Sequence, residues 1–329
     1  MAREDAMNIN EIRNAARRNA GHVRRTPLLT SPFLDEIAGR QVFVKPECLQ
    51  HTGSFKYRGA HNAISQLSAQ QRELGVIAYS SGNHAQGIAL AARQNQTPAT
   101  IVMPSDAPQL KIDNTRALGA KVVLYNRMTE DRDQIGADLS RQHRLTLIKP
   151  FDNKDVIAGQ GTVGLEIANQ ARDAGIRNAQ VLVPCGGGGL TAGIAIALEH
   201  DAPDMTVRPV EPADFDDVTR SLHAEKIEIN EKRSGSICDA ILTPAPGDLT
   251  FPVMTRLCGA GIVVTDKDCL RAMALAFTRL KLVIEPGGAV ALAAALFQPL
   301  EIKGDAVIVV VSGGNVDAPL FADALNRFA

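Results

Sequence analysis

Residues 180–198 read QVLVPCGGGGLTAGIAIAL and combine three kinds of local signal. The apolar run that ends at Pro184 predicts a buried strand, and the Ala/Ile-rich segment after the glycines predicts a buried helix. Successive glycines let a backbone approach a ligand closely and direct several N–H groups at one phosphate. Because such a run costs stability between two buried elements, we interpret residues 186–189 as a phosphate-binding turn.

Strands and helices alternate on both sides of this unit. Apolar runs predict strands at residues 41–47, 75–79, 99–103, 121–124, 145–148, 180–184, 206–211, 261–265 and 305–312. Helical patterns occur near residues 8–20, 85–93, 109–118, 155–174 and 270–280. This alternation is typical of parallel sheets covered by helices on both faces, so we expect an α/β fold with two three-layer α/β/α domains and mostly parallel sheets.

The length of 329 residues, 45% of them hydrophobic, suits two domains better than one. No linker rich in Pro or Ser marks their border. We place the crossings near Cys48 and Pro150, which gives a large domain from residues 1–48 and 150–329 and a small domain from residues 49–149.

Composition argues against several classes of protein. A formal net charge of −1 with scattered signs gives no footprint for nucleic acid or for an anionic membrane. The chain has no apolar run of about 18 residues that would span a membrane. Its charged start lacks the apolar run of a signal peptide, so we expect a cytoplasmic protein. The five cysteines form no CxxC pair and predict reduced thiols.

Residues 51–59, HTGSFKYRG, place Lys56 between a small polar turn and a helical pattern. At a helix start the dipole disfavours the ammonium ion and so favours the neutral amine, which is the form that Schiff-base chemistry needs. A lone lysine at such a position is more often an ordinary surface residue. Together with the phosphate-binding turn, it suggests pyridoxal 5′-phosphate (PLP) as a cofactor.

Polar residues also follow other predicted strands. Residues 80–87, SSGNHAQG, suit either a substrate carboxylate or an ordinary helix N-cap. Residues 312–317, SGGNVD, form a second glycine-containing turn after the last strand. Residues 285–289, EPGGA, precede an apolar helix. As an isolated motif, this string is also typical of an ordinary capped helix start. In such sheets ligands lie at the carboxyl ends of the strands, which is where these segments fall.

Residues 159–164, GQGTVG, match the dinucleotide fingerprint GxGxxG. The match fails on context, because residues 155–158 are helical in pattern and no acidic residue closes a following strand. We interpret this segment as a glycine-rich helix face that packs against a neighbour.

The strings HTGSFKYRGA, SSGNHAQG, CGGGGL, EPGGA and VSGGNVD, in this order, resemble the threonine/serine dehydratase and serine racemase family of fold-type-II PLP enzymes. The resemblance runs from about Arg24 to the C-terminus. It implies that the large domain binds PLP, that the small domain binds an amino-acid substrate, and that the protein is a homodimer or homotetramer.

The resemblance also implies site residues. Lys56 would carry PLP as a Schiff base beside Phe55, and Asn83 would bond the 3′-oxygen. Ser312 would face the pyridine nitrogen and leave it largely unprotonated, which favours elimination. Ser81 matches the residue that handles the proton on the opposite face in serine racemase. The phosphate would lie on Gly186, Gly187, Gly188 and Gly189, and the substrate carboxylate on Ser80, Ser81, Gly82, Asn83 and His84.

Residues 211–217, EPADFDD, resemble a loop that holds Mg²⁺ or Ca²⁺ in this family. The matching ligands are Glu211, the Phe215 carbonyl and Asp217, hard oxygen donors that suit those ions. The alternative is an acidic loop that caps the next helix.

The implied activity is that of a PLP-dependent ammonia-lyase, which converts L-threonine and/or L-serine to a 2-oxo acid and ammonia by α,β-elimination. The alternatives are a serine racemase, a 3-hydroxyaspartate dehydratase or racemase, and a non-catalytic homologue that binds PLP or an amino acid. The chain departs from its relatives at Cys238-Asp239-Ala240, where they commonly carry Asp-Gly, and in the charged residues 224–234.

Overall fold

The computed structural model describes residues 7–80, 82–107, 109–126 and 128–329. The strands are β1 Gln41–Pro46, β2 Val76–Tyr79, β3 Ala99–Pro104, β4 Lys121–Tyr125, β5 Thr146–Leu147, β6 Gln180–Pro184, β7 Thr206–Pro212, β8 Ile262–Val264 and β9 Ala306–Val311. The helices are α1 Ile9–Asn19, α2 Pro32–Ala38, α3 Lys56–Ser65, α4 Ala69–Leu74, α5 Asn83–Gln94, α6 Gln109–Ala117, α7 Arg132–His143, α8 Lys154–Asp173, α9 Gly189–Asp201, α10 Asp217–Ala224, α11 Thr250–Leu257, α12 Asp266–Leu275, α13 Pro286–Phe297 and α14 Ala318–Phe328. Within the described ranges, none of these helices has the length and apolar character that a membrane span needs.

The strands form two sheets. One has the order β1-β9-β6-β7-β8 and the other has the order β4-β3-β2-β5, and their strand pairs are parallel. This confirms the predicted α/β class with mostly parallel sheets. The four strands of the smaller sheet come from residues 76–147, inside the segment assigned to the small domain. The domain borders near residues 48 and 150 stay a prediction.

Helices cover both faces of each sheet. In the larger sheet, Val309 packs in a cluster with helix α13, whereas its neighbour Ile308 packs in a cluster with helices α8 and α9 on the other face. In the smaller sheet, Ile101 faces helices α3 and α5, and Val102 faces helix α7. Successive side chains of a strand point to opposite faces, so a continuous apolar run is what a sheet covered on both sides requires.

Helix α8 contains the GQGTVG string and packs against helices α3 and α9. A Cβ atom on Gly159 would lie 2.6 Å from the Cα of Gly59 in α3, and one on Gly164 would lie 2.7 Å from the Cβ of Ala197 in α9. The glycines therefore let three helices approach each other closely. The interpretation of this string as a packing face is confirmed.

Candidate active site

The carboxyl ends of strands from both sheets border a cavity of about 450 Å³ and a narrow cavity next to it. Lys56 and Asn83 line both of these cavities. The residues predicted from the sequence that line one or both are Phe55, Lys56, Ser80, Gly82, Asn83, His84, Gly186, Gly187, Gly188, Gly189 and Ser312. Ser81 lies outside the described residues. The structure therefore brings strings that are far apart in the chain to one place.

Lys56 is the first residue of helix α3, as predicted. Its Nζ donates a hydrogen bond to the carbonyl oxygen of Pro150 at 2.9 Å. Burial lowers the pKa of Lys56 to about 8, although the nearby carboxyl group of Glu285 acts in the opposite direction. Desolvation is therefore the main cause of the lowered pKa, whereas the sequence suggested only the helix dipole.

Asn83 begins helix α5, and its side-chain amide has partners at both ends. Its Nδ2 donates to Oε1 of Glu285 at 2.5 Å, and its Oδ1 accepts from Nδ2 of Asn315 at 2.7 Å. Burial first, and the charge of Asp239 second, raise the pKa of Glu285 to about 7. Sequence reasoning assigned no role to Glu285 or Asn315, although both belong to the quoted strings EPGGA and VSGGNVD.

The loop before helix α5 is held in place by local contacts. The hydroxyl oxygen of Ser80 accepts a hydrogen bond from the amide of Gly82 at 3.2 Å, and Gly82 is the N-cap residue of the helix. The Nε2 of His84 lies 2.9 Å from the carbonyl oxygen of Ile148, so this nitrogen carries the hydrogen. Burial and the charge of Lys56 lower the pKa of His84 to about 3, and the ring is neutral. The loop's role in carboxylate binding stays a prediction.

The glycine turn has no room for side chains. Gly188 has φ +89° and is the N-cap residue of helix α9, and a Cβ atom on Gly187 would overlap the ring of Phe151. The buried hydroxyls of Thr191 and Thr243 line the same narrow cavity and have no hydrogen-bond partner among the described residues. A helix N-terminus with close backbone and two unpaired hydroxyl groups is suited to bind a phosphate.

Comparison with known proteins agrees with this geometry. A family model described as "Pyridoxal-phosphate dependent enzyme" matches residues 20–314. The chain belongs to this family. It is 44% identical to L-threo-3-hydroxyaspartate ammonia-lyase of Pseudomonas sp., over 96% of this chain and 98% of that protein.

Two solved structures of related proteins share the fold. The threonine deaminase of T.th. has a TM-score of 0.90 and 41% identity, and the match covers 94% of this chain and 99% of that one. Maize serine racemase has a TM-score of 0.91 and 36% identity, and the match covers 98% of both chains. The expected family and the fold-type-II architecture of PLP enzymes are therefore confirmed, and so is PLP as the cofactor of the family.

The predicted metal ligands lie apart from this cavity, at the end of strand β7 and the start of helix α10. Both carboxylate oxygens of Glu211 accept hydrogen bonds from helix α10, at 2.9 Å from the amide of Val218 and at 2.7 Å from the amide of Thr219. Asp217 accepts from Asn230 through Oδ1, whereas its buried Oδ2 has no partner in the described part of the chain. Burial raises the pKa of Glu211 to about 8 and that of Asp217 to about 7.

The metal site at these carboxyl groups stays a prediction. Within the described ranges, no group of three or more His, Cys, Asp or Glu side chains has the arrangement of a metal site. The predicted set contains two carboxylates and one backbone carbonyl. The unpartnered oxygen of Asp217 fits a cation at this point, because a buried carboxylate without a partner is costly. The capping of helix α10 by Glu211 matches the alternative interpretation.

One further contact at the main cavity was not predicted from the sequence. Lys111, on helix α6, forms an ion pair with Asp239 at 3.0 Å. The two residues are 128 positions apart in the chain, and both line the cavity. The neighbouring Ala240 lines it as well, so the departure at residues 238–240 lies at the site.

Proposed function

We propose that the protein is a PLP-dependent ammonia-lyase that acts on L-threonine and/or L-serine and releases a 2-oxo acid and ammonia. The observation that carries this proposal is the convergence of the Lys56 amine, the glycine turn and the start of helix α5 on adjoining cavities. The similarity to the threonine deaminase of T.th. supports it.

The lining residues fit PLP. Lys56 would hold its carbonyl carbon, and an N–H of Asn83 would bond its 3′-oxygen. Ser312 would face the pyridine nitrogen. The phosphate would lie on the amides of residues 186–189 and accept hydrogen bonds from the two unpaired threonine hydroxyls. When bound, PLP supplies the electron sink that stabilises negative charge at the substrate Cα.

The protein's own groups supply binding and proton transfer. Burial lowers the pKa of the Lys56 amine to about 8, which makes its neutral form more accessible, and that form would take up the proton from the substrate Cα. The N-terminus of helix α5 orients the substrate carboxylate through its amides and its dipole. The assignment of Ser81 to the opposite face of the substrate remains a prediction.

A second candidate substrate is L-threo-3-hydroxyaspartate. The main cavity is lined by the cations Lys111, Arg132 and Lys149 as well as by carboxylates at residues 152, 239, 248 and 285. A second substrate carboxylate would bind beside the cations and away from these carboxylates. The similarity to the Pseudomonas ammonia-lyase also favours this candidate. Serine racemase activity is the third candidate, supported by the similarity to the maize enzyme.

A ¹H NMR time course with chiral analysis of the remaining substrate separates these candidates. L-threonine, L-serine, D-serine and both 3-hydroxyaspartate diastereomers are supplied in parallel to the holoenzyme. We expect 2-oxobutanoate or pyruvate to accumulate without the D-isomer. Faster appearance of D-serine than of pyruvate would identify a racemase, and oxaloacetate from 3-hydroxyaspartate alone would identify the second candidate. No turnover of any of them would contradict the proposal.

We also propose that Glu211, Asp217 and the Phe215 carbonyl bind Mg²⁺ or Ca²⁺ in a structural role. The unpartnered oxygen of Asp217 supports this. Either ion should raise the melting temperature of EDTA-treated protein, because a ligand that binds the folded state stabilises it. The variant Asp217→Asn should lose that response, and Asp214→Asn, which changes an exposed carboxylate in the same loop, should keep it. Equal melting temperatures with and without the ions would leave only the capping role.

A homo-oligomer, either a dimer or a tetramer, is proposed as well. Large apolar side chains are exposed around helices α2 and α12, including Phe33 at 53% and Phe277 at 38%. Light scattering after gel filtration measures the mass directly, and a monomer mass at micromolar concentration would contradict this proposal.

A further inference from the structure

The side-chain amide of Asn83 is held by a residue on each side, and these two residues come from distant parts of the chain. Glu285 lies 202 positions away and Asn315 lies 232 positions away. Asn315 also donates to the carbonyl oxygen of Thr52 at 2.8 Å. An asparagine amide has two N–H donors and one carbonyl acceptor. The contact with Glu285 uses one N–H. The second N–H of Asn83 meets no acceptor among the described residues, so it is available to a ligand in the cavities that Asn83 lines.

We propose that Glu285 and Asn315 are positioning residues that fix the amide of Asn83 with its second N–H directed at the 3′-oxygen of PLP. The inference rests on the proposed attachment of PLP to Lys56. A rotated Asn83 amide would place its carbonyl oxygen against the carboxyl oxygen of Glu285 and its NH₂ group against the NH₂ group of Asn315. The contact with Asn315 would then be repulsive at any pH, and the contact with Glu285 would be repulsive whenever its carboxyl group is ionised, so together they select one orientation.

Glycines in the quoted strings leave the space that this arrangement needs. A Cβ atom on Gly313 would overlap Oε1 of Glu285 and would lie 3.1 Å from Nδ2 of Asn83. A Cβ atom on Gly53 would lie 2.7 Å from Oδ1 of Asn315. These glycines therefore have a steric role around Asn83 in addition to any contact with a ligand.

Backbone hydrogen bonds hold the same segments together. The amide of Glu285 donates to the carbonyl oxygen of Gly313 at 3.1 Å, and the amide of Gly314 donates to that of Gly53 at 2.9 Å. The segments that carry Glu285, Asn315 and the approach to Lys56 are thus fixed relative to one another. A side chain held by such a frame keeps its direction when a ligand binds or leaves, which is what pre-organisation of a site requires.

Glu285 is 2% exposed and is the N-cap residue of helix α13, with Lys56, Lys111 and Asp239 as charged neighbours. Its contact with Asn83 needs only an oxygen acceptor at Oε1. A glutamine supplies the same acceptor without the ionisable group, whereas an alanine removes it. This difference separates a positioning role from a role of the charge.

The test uses purified holoenzyme and reads the cofactor, without any substrate. The two readouts are the dissociation constant for PLP and the ratio of the two absorbance bands of lysine-bound PLP, since a donor at the 3′-oxygen favours its anionic, longer-wavelength form. We expect Glu285→Ala and Asn315→Ala to weaken PLP binding by roughly tenfold or more, as expected for a lost hydrogen bond to a charged oxygen. Both variants should also shift the band ratio in the same direction as Asn83→Ala.

The conservative variant Glu285→Gln should keep the wild-type band ratio and affinity. Glu73→Gln, which removes the charge of an exposed carboxylate on helix α4 outside the lining of both cavities, is the matched control and should leave both readouts unchanged. The proposal is overturned if Glu285→Ala and Asn315→Ala lower the melting temperature of the apoprotein but leave both readouts at the wild-type values. It is also overturned if Glu285→Gln behaves like Glu285→Ala, because the charge would then be responsible. Absence of the lysine-bound bands in the wild-type protein would reject the attachment to Lys56 and the positioning role together.

Discussion

Lys56 and Arg58 stand two residues apart on helix α3, and the fold surrounds their charges in opposite ways. The guanidinium of Arg58 is fully buried and donates to Glu47 at 2.7 and 2.8 Å and to Glu166 at 2.7 and 3.0 Å. The amine of Lys56 meets a backbone carbonyl and borders the cavities. Pairing fixes the charge of Arg58, whereas Lys56 is buried without an ion pair to any described carboxylate, which makes its charge easier to remove.

The buried cluster of Lys45, Glu47, Arg58 and Glu166 contains two cations and two anions. Lys45 donates to Glu166 at 2.5 Å and to the carbonyl oxygen of Thr26 at 2.8 Å. Although burial alone would raise the pKa of Glu47, the neighbouring Arg58 holds it below its ordinary value. The cluster ties the first turn of helix α3 to strand β1 and helix α8, and so it helps to place Lys56 beside the cavities.

The largest effect should come from Lys56→Ala. Removal of the amine should abolish the absorbance of lysine-bound PLP and lower turnover by roughly 10³-fold or more, since a general base alone contributes about 10² to 10⁴. A spectrum and a coupled 2-oxo acid assay measure the two effects. Lys121→Ala, which removes an exposed lysine of strand β4, should change neither. Full activity of Lys56→Ala would remove Lys56 from the mechanism.

Arg58→Ala should act on stability. Its loss leaves the buried Glu47 and the partly buried Glu166 with one cation fewer, so we expect the free energy of unfolding to fall by about 3–5 kcal/mol. Urea denaturation measures this. Arg141→Ala, which breaks an exposed pair with Asp138, should stay within about 0.5 kcal/mol of the wild type. Similar losses of unfolding free energy in the two variants would show that the buried charged cluster stabilises the fold no more than an exposed ion pair does.

The sequence predicted the parts of this comparison that depend on local pattern. The strand and helix periods indicated the fold class, and the polar turn before a helical pattern placed Lys56 at the start of helix α3. The partners were not predictable in this way, because Arg58 and Glu166 are 108 positions apart and Asn83 and Glu285 are 202 apart. Their pairing depends on how two sheets and helix α8 pack, which a local period does not encode.

The pH dependence of apoprotein stability tests whether burial lowers the pKa of Lys56 in the folded state. Its pKa is about 8 in the folded state and has an ordinary value of 10.5, so between these values the unfolded chain binds more protons. Relative to Lys56→Met, wild-type stability should therefore rise as the pH goes from about 8 to 10.5. The full rise is at most about 3 kcal/mol, and water in the cavity reduces it.

Urea midpoints across this pH range measure that difference. Subtraction of the Lys56→Met curve removes the contributions of groups that do not interact with Lys56. Glu285 does interact with it, but its pKa of about 7 lies below this range. A flat difference curve would show that Lys56 keeps an ordinary pKa and that burial does not make its charge easy to remove.

Substitutions of buried threonine hydroxyls test the contrast between groups that are paired within the protein and groups that border the cavities. Their expected effects on stability and PLP affinity are the smallest. Thr162 lies beside the charged cluster around Arg58 and is fully paired. Its Oγ1 donates to the carbonyl oxygen of Gly159 at 2.7 Å and accepts from Arg58 at 3.3 Å. The buried hydroxyls of Thr191 and Thr243 at the glycine turn find no partner in the part of the chain that the structure describes. Thr162→Val should lower the free energy of unfolding by about 1 kcal/mol and leave PLP affinity unchanged.

Thr191→Val should have the reverse profile, with apoprotein stability equal to or above that of the wild type and PLP binding weakened by about 1.5 kcal/mol, or roughly tenfold. Removal of an unpaired buried hydroxyl relieves a desolvation cost in the apoprotein, whereas the same hydroxyl supplies a hydrogen bond to the phosphate in the holoenzyme. Thermal melting of the apoprotein measures the effect on stability, and PLP titration measures the effect on cofactor binding. If Thr191→Val and Thr162→Val changed the same quantity, a missing partner in the apoprotein would no longer distinguish a ligand-binding hydroxyl from a structural one.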